Sequence, residues 1–138
     1  MKFLDAIFCD DIRQELNNKL SLMGLYNDRM VLNINNENKI TWPQPINLSA
    51  LLRFSLSEKN EKPDSFEFEY LLNNKNIVKI TGDLNVSNYD SSQFQLILNG
   101  VGIPLEPGNL GFSIKLYSRK KLLLTEKNGS VLIISINR

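Results

Sequence analysis

Asp10, Asp11, Arg13, Glu15 and Lys19 place three carboxylates and two cations within ten consecutive residues, between an apolar run over 3–9 and an apolar return over 20–26. Adjacent Asp side chains offer hard oxygens to a cation, and two acids facing one cleft are what glycoside hydrolysis requires. Calcium takes about six to eight oxygens, so Asp28, Asp83 or Asp90 would have to converge on the metal candidates Asp10 and Asp11 from other loops. Nothing in their spacing demands this. The same charges can satisfy one another, and a salt-bridged turn is the preferred reading.

Two local structures fit this segment. In one, Asp11 caps a single helical turn with Gln14 completing a capping box, and Glu15 stands four residues before Lys19 as an ion pair. In the other, strands over 3–9 and 20–26 form a long hairpin turning at Asn17 and Asn18, with the Asp pair at a bulge. The hairpin is preferred, because Asn-Asn between apolar runs suits a type I′ turn.

The remaining elements must position these groups, and they read as strands. Apolar segments of five to eight residues recur between turn signals, without a sustained helical period. Phe66, Phe68 and Tyr70 alternate with Ser65, Glu67 and Glu69, and Leu110, Phe112, Ile114 and Leu116 alternate with Asn109, Gly111, Ser113 and Lys115. Residues 73–76 read as a hairpin turn, Gly82 as a bulge or bend, and Lys127, Asn128 and Gly129 as a last turn before a closing strand over 131–136. Eighteen asparagines, many clustered between apolar runs, punctuate the chain as turn residues. The predicted fold is all-β: an antiparallel β-sandwich of about eight or nine strands, immunoglobulin-like or C2-like, with at most one short helical turn, as a single domain over 1–138.

Composition removes several functions. Sixteen Lys and Arg against fifteen Asp and Glu give a net charge of +1, so no field steers the chain toward phosphate backbones or anionic lipid. Nucleic acid and membrane are therefore not expected partners. The chain has no histidine, which removes imidazole bases and the commonest transition-metal ligand. With one cysteine there is no internal disulfide, and no structural zinc site of the usual kind can be assembled. No cofactor is expected, and the natural compartment is the cytoplasm.

Outside the opening segment, Cys9 ends an apolar strand beside two acids that raise its pKa, and reads as a core residue. Arg119, Lys120 and Lys121 form a basic turn, and Trp42 between turn residues and prolines offers a stacking surface for a sugar or peptide. Solvated charge and a capped sandwich end are the plainer readings of these two.

At Asp10, Asp11, Arg13, Glu15, Asn17, Lys19, Gly24 and Tyr26 the chain resembles an uncharacterised family of small bacterial, partly phage-associated proteins. Their N-terminal pattern is Asp-Asp-x-Arg-x-Glu-x-Asn-x-Lys, with a Gly-containing strand ending near Tyr. Asn18 stands where that family usually has Gly, and Asn is the next best residue at positive φ. The resemblance implies a compact β domain and no particular chemistry.

The expectation is thus a non-enzymatic protein-interaction or assembly module, binding a protein partner or itself through strand edges or end loops. Arg13, Glu15, Trp42, Arg119 and Lys120 are the interaction candidates. The alternative is a sandwich that binds calcium or a saccharide with its end loops.

Overall fold

Alternation of apolar and polar residues gives each strand one face to bury, and the computed structural model, which describes residues 1–33, 40–57, 61–85 and 92–137, stacks those faces into a sandwich. Among the described residues there are eleven strands: β1 (Lys2–Gln14), β2 (Leu20–Tyr26), β3 (Arg29–Asn33), β4 (Gln44–Ile46), β5 (Ser49–Ser55), β6 (Ser65–Leu72), β7 (Lys75–Asp83), β8 (Gln93–Leu98), β9 (Ile103–Leu105), β10 (Gly108–Ser118) and β11 (Lys121–Asn137). One sheet runs β2-β1-β5-β8, the other β3-β11-β10-β6-β7, and β4 pairs with β9 in a small third sheet.

The two large sheets enclose one aromatic core. Phe8, Ala50, Leu52, Phe54 and Phe94 from the first meet Phe68, Tyr70, Phe112 and Ile114 from the second. Phe54 stacks on Phe94 at 4.7 Å between ring centroids, and Phe68 meets Tyr70 edge-on at 4.8 Å. Such pairs add roughly 0.5–1.5 kcal/mol each beyond the area they bury. The Tyr70 hydroxyl, enclosed by this core, donates to the Leu48 carbonyl at 3.0 Å, and burial raises its pKa.

Four expectations are corrected. β1 does not stop at Cys9 but continues to Gln14, so Asp10, Asp11 and Arg13 are strand residues rather than turn residues. Not every pairing is antiparallel: β3 lies parallel to β11, because the chain crosses from one sheet to the other between Tyr26 and Arg29. Gly82 is no bulge. It stays in register opposite Phe66, whose ring would lie 2.9 Å from an added methyl, so glycine here makes room for an aromatic neighbour. Residues 127–129 do not turn either; β11 is continuous over 17 residues, and the irregularity is a bulge opposite Gly111, where a methyl would meet the Asn128 carbonyl oxygen at 2.3 Å.

Candidate functional site

The β1–β2 hairpin turns through a three-residue loop, Leu16–Asn18, closed by the Glu15 N–H donating to the Lys19 carbonyl at 2.7 Å. Asn17 and Asn18 take φ of 63° and 60°, the left-handed region asparagine tolerates best after glycine. The hairpin reading therefore holds, with one residue more in the loop than a type I′ turn has. That residue sets the register. Cys9 faces Leu25 and Asp11 faces Met23, with no bulge at the Asp pair, so Asp10 falls opposite Gly24.

Gly24 has φ +69°, and a methyl on it would lie 2.1 Å from Asp10 Oδ2. The carboxylate thus leans from β1 across the bare backbone of β2. Its other oxygen, Oδ1, accepts from the Tyr26 hydroxyl at 2.5 Å. Burial first, and then the hydrogen bond and charge of Asp10, push the Tyr26 pKa up to about 12, so Tyr26 remains a neutral donor. Asp11 turns to Arg13, Nε to Oδ2 at 3.1 Å, with both side chains largely exposed, a pairing worth well under 1 kcal/mol. The opening cluster therefore divides: Asp11 and Arg13 neutralise each other, Glu15 is an exposed residue beside the loop, and among the described residues no cation pairs with Asp10.

On its other side Asp10 borders a shallow cleft of about 610 Å³ at the end of the sandwich. Asp10 and Asp11 form one wall, Pro45, Ile46 and Asn47 a second, and Asn99, Gly100 and Val101 a third. The walls are tied by Leu48 N–H donating to the Gly100 carbonyl at 2.9 Å and Gly102 N–H donating to Asn47 Oδ1 at 3.2 Å. Gly100 is required there, since a methyl would meet the Leu48 carbonyl oxygen at 2.0 Å. Ser49 Oγ lies 3.4 Å from Asn99 Oδ1 and 3.5 Å from the Asp10 carbonyl.

The calcium arrangement is not assembled from the described residues: neither Asp28 nor Asp83 lines the cleft, and among those residues no three acidic or thiol side chains gather to hold a metal. Asp90 lies outside the described residues. Trp42 is half-buried before β4, joined to Pro43 by a cis peptide bond, and is not part of the cleft wall. Arg119 and Lys120 form the β10–β11 turn at the opposite end of the sandwich: Tyr70 reaches Leu48 near the cleft, whereas Ser65, five residues earlier in β6 and so roughly 17 Å away, pairs with Tyr117. Their φ values of 50° and 66° are left-handed, and Asp64 Oδ2 accepts the Arg119 N–H at 2.9 Å. Cys9 is fully buried and its pKa is raised chiefly by burial, with the charges of Asp10 and Asp11 secondary.

Sequence reasoning missed Asn47, Ser49 and Asn99, which no local pattern joins to the Asp pair. It also missed the free edge beside Asp10. β2 is the last strand of its sheet, its seven residues carry no charge and no proline, and Met23 and Leu25 are 40% and 63% exposed. Among the described residues no backbone group pairs with its outer side. The hairpin that presents this edge is anchored by a second apolar cluster: Ile12, Leu20 and Leu22 pack with Ile7, Cys9, Leu51 and Ile97. Leu51 lies between Ile7 and Ile97 in register, on the face turned away from the main core, so the hairpin curls across the sheet beyond Gly24. Compared with known proteins, the chain matches no protein-family model and no curated protein.

Proposed function

We propose that this protein is a non-enzymatic interaction domain of the cytoplasm that binds a protein partner by adding the partner's strand to the free edge of β2. The observation that carries the reading is the edge itself. Natural sheets blunt their edges with charge, proline, bulges or covering loops, because an open ladder of N–H and C=O groups pairs with any extended chain. β2 offers seven residues without charge or proline, and two of its apolar side chains are exposed. By contrast β7, an edge of the other sheet, carries Lys75, Lys79 and Asp83. Among the described residues no helix is long and apolar enough to cross a membrane, and the near-neutral charge gives no support to a nucleic-acid surface.

A photo-crosslinking residue placed at Leu25, with one at the exposed Leu122 of β11 as reference, tests this in the native host. A discrete adduct from position 25 that is absent from position 122 and abolished by Met23→Lys supports the edge. Equal labelling at both positions refutes it. A small-ligand reading draws on the polar cleft of Asp10, Asn47 and Asn99, and a melt against calcium, EDTA and a sugar panel separates the two. A clear rise in Tm with any of these ligands displaces strand addition as a complete account.

A further inference from the structure

Strand addition explains where a partner binds but not which one, and the chemistry just behind β2 narrows the choice. The Asp10 carboxylate lies over Gly24, the one position of β2 with no side chain to screen it. Its Oδ1 is held by a neutral hydroxyl, and no described cation pairs with it. Neighbouring strands are about 4.8 Å apart, so a strand docked on β2 places its Cα atoms one strand spacing beyond Gly24, within reach of a long basic side chain crossing the glycine. We propose that the strand accepted at β2 carries a lysine or arginine at the position facing Gly24, with apolar residues on either side of it packing against Met23 and Leu25. This rests on β2 being the docking edge. Charge complementarity selects the partner: an uncharged residue at the central position leaves the carboxylate half covered without a counter-charge, and an acid there is repelled.

The test uses the full chain, labelled with nitrogen-15, and two capped heptapeptides at low ionic strength: Thr-Thr-Val-Lys-Val-Thr-Thr and the same sequence with glutamine at the centre. The lysine peptide is expected to shift and protect β2 amides and to bind about tenfold tighter than the glutamine peptide, a preference of the size one partly desolvated charge pair supplies. Asp10→Asn, which keeps a hydrogen-bond acceptor for Tyr26, is expected to shrink that preference to within twofold. Equal binding of both peptides to β2 in the unaltered protein overturns the basic partner, and a preference that survives in Asp10→Asn overturns its pairing with the Asp10 carboxylate; in either case the docking edge stands. If neither peptide perturbs β2, both fall.

Discussion

Replacing Gly24 with alanine isolates the contact that shapes the exposed edge. The substitution forces a residue with a Cβ into φ +69°, which costs about 1 kcal/mol. It also drives a methyl to 2.1 Å from Asp10 Oδ2 and 2.6 Å from Cγ, distances that no flexing of β2 within its ladder accommodates, so the carboxylate must swing away and release Tyr26. For a charge-assisted hydrogen bond at an exposed site that adds about 1 kcal/mol, giving about 2 kcal/mol in all. With an unfolding entropy near 2.1 cal/mol/K per residue, a chain of 138 residues should lose about 7 °C in Tm. Urea denaturation of a double-mutant cycle supplies the decisive number. In an Asp10→Ala background the carboxyl group is gone, only a 3.0 Å contact with the Asp10 Cβ remains, and Gly24→Ala should cost only the backbone part, leaving a coupling of about 1 kcal/mol. Equal costs in both backgrounds would refute the view that glycine is there to let the carboxylate lie across the strand.

Three further outcomes follow from geometry elsewhere. Lys120→Gly should stabilise the protein by about 0.5–1 kcal/mol in a thermal melt, because its φ of 66° suits glycine, and the gain should be absent for the same change at the neighbouring exposed Lys121, which sits in β11. Tyr70→Phe should cost about 1–2 kcal/mol in chemical denaturation by stripping a buried carbonyl, Leu48 O, of its donor. The Arg53 guanidinium grips both oxygens of Asp5 and holds its carboxyl below the ordinary 3.8. A depressed folded pKa stabilises at pH above the unfolded value and is lost as pH falls through the folded one. Comparing the unaltered protein with Arg53→Gln should therefore show a difference near neutral pH that is progressively lost as the solution is acidified below 3.8, and with both side chains 40% exposed it should not exceed about 1 kcal/mol.

Strand rhythm was legible because burial imposes it: the alternation of Phe66, Phe68 and Tyr70 with Ser65, Glu67 and Glu69 appears in the fold as buried and half-buried residues in strict turn. What stayed hidden depended on pairing between distant segments. Asp10 and Asp11 looked like turn residues because charge is rare in a strand, and only the register with β2 shows that one faces a glycine while the other pairs along its own strand with Arg13. The parallel seat of β3 beside the C-terminal strand was equally invisible, since edge position and strand direction leave no period in the local sequence. The cleft depends on Asn47, Ser49 and Asn99 arriving from two separate strand ends, and a single chain read residue by residue carries no signal for that meeting.

The extra residue in the loop at Leu16–Asn18 gives the hairpin a parity. A two-residue turn like that at Asn73 and Asn74 would slide the pairing by one step and set Asp10 against Leu25, so that the acid would abut a bulky side chain instead of open backbone. Where the turn closes, together with the bare backbone of Gly24, thus decides whether the edge of this sheet displays a charge. A turn closed on Asn17 and Asn18 alone, with Leu16 drawn into the ladder opposite Lys19, would change what the edge recognises more than most substitutions along it.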